Sequence, residues 1–299
     1  MDMLSITGLY KRFGDKEVLR GLDLYVPEHS IFGFVGKNGS GKTTTMKTVL
    51  GLLKADKGEI LVNGEKVIYG QTATNRHIGY LPDVPEFYSF MTAEEYLTFC
   101  ADITGLEQSE KKERAQELLT LVGLEKEKHR IKGFSRGMKQ RLGIAQALLN
   151  RPKLLICDEP TSALDPVGRK EILDILLAAR EQTTVVFSTH ILSDVERICT
   201  DVAFLNNGEV NIFGKLSEVK AKYSREEYVI ETEKDTDTLL LAQSFPTMRK
   251  TENNRLIFSE EGCSIFDILK FVSDKQIRLL RLERSEQTLE SLFMEVVKK

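Results

Sequence analysis

Hydrophobic and polar residues alternate along the beginning of the chain, in "MLSITGLYKRF" and again in "VLRGLDLYVP". This period of two, interrupted at Gly14 and Asp15, predicts antiparallel strands joined by a turn. The apolar run "SIFGFVG" then predicts a buried strand, and "SGKTTTMKTVLGLL" predicts a helix directly after it. Residues 58–67 predict a hairpin whose turn is Asn63-Gly64.

Buried strands alternate with helices further along the chain. A polar, helical region is expected from about Thr92 to Lys128, and the apolar spacing from Met138 to Leu149 predicts another helix, capped by Ser135. The runs "KLLICDEP" and "TTVVFSTH" predict buried strands that are each followed by a helix, and "DVAFLNNGEVNIFG" predicts a hairpin. Apolar strands separated by helices indicate a mainly parallel sheet and an α/β fold.

The pattern changes after about Ala221. A strand, a helix, a hairpin around Asn253-Asn254, a second helix and a strand are expected, and "TLESLFMEVVKK" predicts a final helix. The order βαββαβ is typical of a ferredoxin-like α+β unit. No catalytic cluster stands out in this region, so we expect residues 1–220 to carry the chemistry and residues 221–299 to form a small accessory domain for packing or regulation.

Composition narrows the class of protein. The chain has 299 residues, of which 41% are hydrophobic and 29% charged, as expected for a globular protein with a substantial core. A net charge of −3 does not indicate a nucleic-acid-binding protein. Neither a membrane-spanning run nor a signal-peptide core is visible, and the scattered cysteines favour reduced thiols in a cytoplasmic protein.

Residues 36–43, "GKNGSGKT", fit the phosphate-binding pattern G-x-x-x-x-G-K-[ST] between a predicted strand and a predicted helix. Glycines at these positions let backbone N–H groups turn toward a phosphate. We expect Lys42 to contact the β- and γ-phosphates and the Thr43 hydroxyl to bind Mg²⁺. The expected nucleotide-binding residues of this loop are Gly36, Lys37, Asn38, Gly39, Ser40, Gly41, Lys42, Thr43 and Thr44.

Two adjacent carboxylates, Asp158 and Glu159, follow a predicted buried strand, at the end where α/β proteins bind ligands. Asp158 is expected to hold Mg²⁺ through water, and Glu159 to orient the attacking water or accept its proton. The alternative, a pair that caps a helix, is disfavoured by the phosphate loop upstream. His190 ends the next buried strand, where it could reach a γ-phosphate.

Ser135 and Gly137 begin the helix of residues 138–149 and form a second potential anion receptor, because a helix N-terminus offers unpaired N–H groups. This receptor has no anion of its own nearby in sequence, and it follows a long helical insertion. The simplest arrangement is a head-to-tail dimer in which each receptor covers the γ-phosphate held by the other chain. ATP would then join the two copies, and loss of the γ-phosphate would release them.

Several motifs together resemble the ATPases of ATP-binding-cassette (ABC) transporters over roughly residues 1–220. "GKNGSGKT" is similar to Walker A, "FSRGMKQR" to the ABC signature, "LLICDEP" to Walker B, "SALD" to the D-loop, and His190 to the switch histidine. Phe13 stands where this family stacks an aromatic ring on adenine. The resemblance implies a cassette with a mixed-sheet core, an antiparallel β subdomain and a helical lobe at about residues 84–150.

The same resemblance implies a function. We expect ATP hydrolysis with Mg²⁺ in an ATP-sandwich dimer, a homodimer in the simplest case, bound to an integral membrane permease at the cytoplasmic face of the membrane. Tyr88, Phe90 and Met91 lie in an apolar segment that would suit a coupling helix of the permease, although part of that segment must be core.

Three residues depart from the usual family pattern. Arg136 replaces a glycine and Met138 a glutamine of the signature, and Asp83 occupies the Q-loop glutamine position, where it could still reach Mg²⁺ or water. These variations resemble the branch that serves ABC-2-type exporters, in which a C-terminal extension is common.

Two other functions were weighed against an exporter ATPase. A soluble ABC ATPase acting on nucleic acid or ribosomes is disfavoured by the single phosphate loop and the lack of sustained heptads, so no nucleic-acid partner is expected. A small-molecule P-loop kinase leaves the signature helix unexplained.

Overall fold

A computed structural model of the protein describes residues 2–71, 73–223, 227–251, 254–260, 262–285 and 289. The chain divides into two compact units, Met1–Ser217 and Glu218–Lys299, called here the N-terminal and C-terminal units. The domain limits drawn from the sequence, residues 1–220 for the ATP-binding domain and 221–299 for the accessory domain, stay a prediction.

The N-terminal unit contains both strands and helices. Its described strands are β1 (Asp2–Phe13), β2 (Lys16–Pro27), β3 (Ile31–Gly36), β4 (Lys57–Val62), β5 (Glu65–Lys66), β6 (Ile78–Leu81), β7 (Leu154–Asp158), β8 (Thr184–Thr189), β9 (Asp201–Asn206) and β10 (Glu209–Lys215). Its described helices are α1 (Lys42–Val49), α2 (Ala93–Ile103), α3 (Gln108–Leu121), α4 (Arg136–Leu148), α5 (Pro166–Ala179) and α6 (Leu192–Ile198), with 3-10 turns at Ala73–His77 and Ile131–Gly133.

Within the described residues these strands form two sheets. The first is antiparallel with the order β2-β1-β4-β5, and the second has the order β10-β9-β3-β8-β7-β6. In the second sheet all neighbours are parallel except β10, which pairs antiparallel with β9. The α/β architecture with a mixed core sheet and an antiparallel β subdomain is therefore confirmed.

A continuous core lies between the two sheets. Apolar residues of β1 and β2, such as Ile6 and Leu22, pack in one cluster with Phe32 and Phe34 of β3 and with Met46 of α1. Strand β3 is buried at every position, as its uninterrupted apolar sequence predicted. This packing fixes the start of the loop that follows β3.

The Asn63-Gly64 hairpin is confirmed. Both residues adopt left-handed backbone conformations, with φ of 50° and 78°, as a type I′ turn between two strands requires. The predicted helix of the "GMKQRLGIAQALL" segment also forms, and the Ser135 hydroxyl accepts a hydrogen bond from the Met138 N–H at 3.2 Å.

Helix α4 lies unusually close to strand β6. A Cβ atom placed on Gly79 would overlap the carbonyl oxygen of Ala147, and one on Gly143 would lie 2.5 Å from Cδ1 of Leu81. At Gly79 only glycine fits, because the backbone of the strand packs directly against the backbone of the helix, whereas Gly143 leaves room for the Leu81 side chain. The contact holds α4 firmly on the edge of the core sheet.

The C-terminal unit has the strand–helix order that the sequence predicted. Its elements are β11 (Glu227–Thr232), α8 (Asp235–Ser244), β12 (Arg249–Lys250), β13 (Arg255–Ser259), α9 (Ile265–Asp274) and β14 (Leu279–Ser285), preceded by α7 (Leu216–Tyr223). The described strands form an antiparallel sheet in the order β12-β13-β11-β14, which is the ferredoxin-like arrangement. Ile230, Leu241, Leu256 and Ile268 form the centre of its core.

Two predictions for this region fall outside the described residues. They are the final helix at "TLESLFMEVVKK", apart from Leu289, and Asn253 of the predicted hairpin turn.

Helices long and apolar enough to cross a bilayer are absent from the ranges that the structure describes.

Candidate nucleotide-binding and hydrolysis site

The carboxyl ends of four parallel strands meet at one edge of the core sheet. The strands are neighbours in the order β3-β8-β7-β6, and each is followed by a segment that the sequence singled out. An open cleft of about 570 Å³ lies along this edge. Its described lining residues are Phe13, Lys16, Val18, Asn38, Gly39, Gly41, Lys42, Thr43, Thr44, Asp83, Asp158 and Glu159.

The loop after β3 forms a cradle of backbone atoms. Gly39 and Gly41 have φ of 80° and 115°, backbone angles that residues with a side chain rarely adopt. Helix α1 begins at the next residue, Lys42. A Cβ atom on Gly36 would lie 2.5 Å from the Ser40 hydroxyl. That hydroxyl is buried and has no hydrogen-bond partner among the described atoms. An oriented loop at a helix N-terminus with an unsatisfied hydroxyl fits a bound phosphate group.

Lys42 is the buried cation of this cradle, with a side chain only 5% exposed. Its ammonium donates to the carbonyl oxygens of Gly36 and Lys37, at 2.6 and 3.3 Å. It also lies 3.0 Å from Oε1 of Glu159. A buried charge is tolerated only when it is paired, so Glu159 and two carbonyls compensate Lys42.

Asp158 and Glu159 are positioned by a residue of the neighbouring strand. Ser188 of β8 is fully buried, and its hydroxyl donates to Oδ1 of Asp158 at 2.6 Å. The same hydroxyl accepts the backbone N–H of Glu159 at 2.9 Å. Glu159 has a φ of 48°, a conformation that costs free energy for a non-glycine residue and turns its side chain out of the strand direction.

His190 completes a chain of polar contacts. Its Nδ1 lies 2.9 Å from Oε2 of Glu159, while Oε1 of that carboxylate faces Lys42. The imidazole is half-exposed, so it can meet a group that enters the cleft from solvent. Lys42 and His190 thus each contact Glu159, which joins the three residues in one chain of polar contacts.

Burial affects two groups behind these carboxylates. It raises the pKa of Tyr80 to about 12, and the charge of Asp158 adds to that rise. Burial, followed by the charge of Asp158, also holds the pKa of the Cys157 thiol well above its ordinary value. Both groups are therefore neutral near pH 7.

Phe13 lies at the outer end of the cleft with its ring half-exposed. The ammonium of Lys11 lies 5.2 Å from the ring centroid and 3.3 Å from Oδ1 of Asp56. The hydrogen bond from the Arg12 N–H lowers the pKa of Asp56, which keeps the carboxylate charged and Lys11 in place. An exposed ring fixed in this way is suited to stacking on a planar base.

The N-terminal tip of α4 is not part of this cleft. Ser135 is exposed, and neither it nor Gly137 belongs to the cleft's described lining. The neighbouring Arg136 instead contacts Ser162 and Asp83. Sequence reasoning missed this contact and the role of Ser188. A polar residue inside the apolar run "VVFSTH" was the available signal for Ser188.

The phosphate loop, Phe13, Asp83, Asp158 and Glu159 thus line one cleft, and His190 touches Glu159. Their ligand contacts stay predictions.

Similarity to known proteins assigns the chain to a family. Residues 19–162 match the ABC transporter family, and residues 214–297 match the family described as "ATP-binding protein DrrA1-3-like, C-terminal domain". The chain is 37% identical to the uncharacterized ABC transporter ATP-binding protein YxlF of Bacillus subtilis, over 99% of both chains. It is 41% identical to the bacitracin transport ATP-binding protein BcrA of Bacillus licheniformis, over 70% of this chain and 68% of BcrA.

Solved structures agree with this placement. The dimeric structure of a post-hydrolysis state of the ATP-binding cassette MJ0796, bound to ADP and Pi, superposes with a TM-score of 0.63 at 26% identity, covering 72% of this chain and 99% of that one. Together with the geometry of the cleft, these similarities show that the chain belongs to the ATP-binding, ATP-hydrolysing subunits of ABC transporters.

Proposed function

We propose that this chain powers an ABC exporter and hydrolyses ATP as a dimer in which two ATP molecules lie between the copies. The observation that carries the dimer is the position of the α4 tip. Ser135 is exposed, and neither it nor Gly137 lines the cleft of its own chain, so this helix N-terminus is open to a phosphate carried by another molecule. The dimeric state of the MJ0796 cassette supports the same arrangement.

The phosphate chain of ATP would be held by the backbone amides of residues 38–43 and by Lys42. Thr43 and Asp158, which both line the cleft, supply the oxygen ligands that Mg²⁺ prefers. Bound Mg²⁺ would neutralise charge on the phosphate oxygens. The adenine base would stack on Phe13 at the outer end of the cleft.

Lys42 and Glu159 would exchange partners when ATP binds. In this structure the two side chains neutralise each other at 3.0 Å. Phosphate oxygens carry more charge than one carboxylate, so Lys42 would turn toward them and leave Glu159 held by His190 at 2.9 Å. Glu159 would then be free to orient water or accept its proton, and water would be activated only when ATP is present.

Export and a membrane partner rest on other features. The C-terminal family match and the residues at positions 83, 136 and 138 resemble the ABC-2-type exporter branch. Tyr88 and Phe90 are 52% and 61% exposed, and their ring centroids lie 5.9 Å apart. Exposed aromatic pairs of this kind are typical of protein interfaces, and we assign this one to a permease helix at the cytoplasmic face of the membrane.

The dimer is tested with Glu159→Gln, which keeps the shape of the side chain but removes its basicity. With ATP and Mg²⁺ this variant should accumulate as a dimer in size-exclusion chromatography with light scattering, and without nucleotide it should be a monomer. Glu159→Gln/Lys42→Ala is the matched control, because it should not bind ATP and should stay monomeric. A Glu159→Gln protein that binds ATP but remains monomeric would overturn the proposal.

A further inference from the structure

Arg136, the first residue of α4, contacts two other segments of the chain. Its Nη2 lies 3.3 Å from the Ser162 hydroxyl and 3.6 Å from Oδ1 of Asp83. Ser162 in turn donates to the same Asp83 oxygen at 2.7 Å. Asp83 follows β6 and lines the nucleotide cleft, whereas Ser162 follows β7. One guanidinium therefore connects the signature helix with segments that follow two neighbouring strands of the core sheet.

A second contact joins the same helix to the same residue. Gln140 lies one turn further along α4, is fully buried, and donates its amide to the backbone oxygen of Asp83 at 2.6 Å. Gln140 thus fixes the main chain of Asp83, and Arg136 and Ser162 fix its carboxylate. Contacts with these side chains therefore set the orientation of the Asp83 carboxylate at the cleft.

The charges of Arg136 and Asp83 belong together. A glycine at position 136 has no side chain to reach the carboxylate, and a glutamine at position 83 has no charge to neutralise, so the usual family residues would form no such pair. A lone carboxylate at the rim of a cleft that receives a triphosphate would repel it. A cation within 3.6 Å offsets that repulsion.

We propose that Arg136 is a positioning residue, which holds and neutralises the Asp83 carboxylate at the rim of its own chain's nucleotide cleft. This inference rests on the proposed function, since it gives the first turn of α4 two tasks. Ser135 and Gly137 face the nucleotide of the second copy, and Arg136 acts on the nucleotide of its own copy through Asp83.

The test is a double-mutant cycle of Arg136→Ala and Asp83→Asn. Lys139→Ala is the control, because it removes another cation from the first turn of the same helix. Binding of a fluorescent ATP analogue, and KM and kcat for ATP, are measured for each purified full-length variant. Arg136→Ala should raise the dissociation constant and KM about threefold, as expected for a half-exposed ion pair, with less effect on kcat.

The decisive result is the effect of Arg136→Ala in the Asp83→Asn background. There it should be no larger than the effect of Lys139→Ala, since no carboxylate remains to be held. Equal effects of Arg136→Ala in both backgrounds would show that its charge acts on ATP directly and would overturn the inference. The difference in ATP-analogue affinity between the wild type and Arg136→Ala should also decrease as the salt concentration is raised.

The two proposals fail in different ways. If the cycle is additive while Glu159→Gln still dimerises with ATP, the inference is wrong and the sandwich dimer stands. If Glu159→Gln binds ATP and stays monomeric, the dimer is wrong, and the cycle still decides whether Arg136 holds Asp83 at the cleft of its own chain.

Discussion

The Ser188 hydroxyl donates to Oδ1 of Asp158 across 2.6 Å and accepts the backbone N–H of Glu159 at 2.9 Å. One buried oxygen thus sets the directions of both acidic residues in the cleft. Because Ser188 lies on a neighbouring strand, the register of β7 against β8, in which Asp158 pairs with Ser188, is part of the site.

Replacing Ser188 with alanine should impair both folding and turnover. Two buried polar groups would lose their partner, so the free energy of unfolding should fall by about 1–3 kcal/mol. Displacement of Glu159 should lower kcat by about tenfold to a hundredfold. Val186→Ala on the same strand is the control, since it should cost stability by leaving a cavity but keep kcat near normal. Equal kcat values for the two variants would contradict the positioning role of Ser188.

Two inactive variants should restore activity when they are mixed. Ser135→Arg should bind ATP but not hydrolyse it, because the guanidinium blocks the α4 tip, and Lys42→Ala should not bind ATP. A mixed dimer contains one site that combines an intact Lys42 with an intact Ser135 from the other copy. Steady-state ATPase assays should therefore show partial recovery in the mixture and none in either variant alone. If the mixture stays inactive while heterodimers are detected, the shared site is wrong.

The helical lobe should depend on a buried arginine. Arg114 of α3 donates to the carbonyl oxygens of Leu148 and Leu149, at 2.6 and 3.2 Å, and so satisfies the C-terminal end of α4. Arg114→Met should lower the free energy of unfolding in urea by about 2–4 kcal/mol, because buried carbonyls lose their donor. Lys112→Met, exposed on the same helix, should change it by less than about 0.5 kcal/mol. Equal losses would mean that Arg114 stabilises α4 no more than a surface residue.

Cys157 should be protected from thiol reagents in the folded protein. Burial keeps its pKa raised, so the thiol is neutral and inaccessible. The same shift has a consequence for stability. This thiol ionises only after unfolding, so it has a negligible effect on the free energy of unfolding below about pH 8. As the pH rises above about 8.5, the pKa of the thiol in the unfolded chain, its ionisation progressively favours unfolding.

Alkylation followed by peptide mass spectrometry checks this protection. Cys157 should stay unmodified at pH 8 without denaturant and be modified in urea. Folded protein that has been treated with the alkylating reagent should retain its ATPase activity. Rapid native modification of Cys157 would contradict the packing of β7.

The exposed aromatic pair should affect assembly but not catalysis. Tyr88→Ser/Phe90→Ser should reduce copurification with the membrane permease, because a desolvated aromatic contact is lost. The ATPase activity of the isolated chain should be unchanged. Phe213→Ser is the control, since Phe213 is an exposed aromatic residue on β10, outside the region of Tyr88 and Phe90. Loss of copurification in both variants, or in neither, would argue against this docking surface.

Local patterns made much of this fold predictable. The fully apolar β3, the Asn63-Gly64 turn and the Ser135 cap each depend on neighbouring residues, and each occurs where the sequence indicated. Because parallel strands end at one edge, the convergence of the phosphate loop with Asp158 and Glu159 also followed from order along the chain.

Contacts between distant residues were not predictable in the same way. Arg136 meets Asp83 only because the lobe folds back onto the segment after β6, and Ser188 meets Asp158 only because β7 and β8 are neighbours in one register.

The close packing of α4 on β6 at Gly143 and Gly79 has a mechanical consequence. With a rise of about 1.5 Å per residue, the tip of α4 at Ser135 lies about 12 Å from Gly143, so a tilt of about 5° about that contact moves the tip by about 1 Å. A shift of this size can decide whether a phosphate is met in a reactive geometry. The stiffness of the contact between α4 and β6 therefore determines how precisely each copy positions the N-terminus of α4 against the other copy.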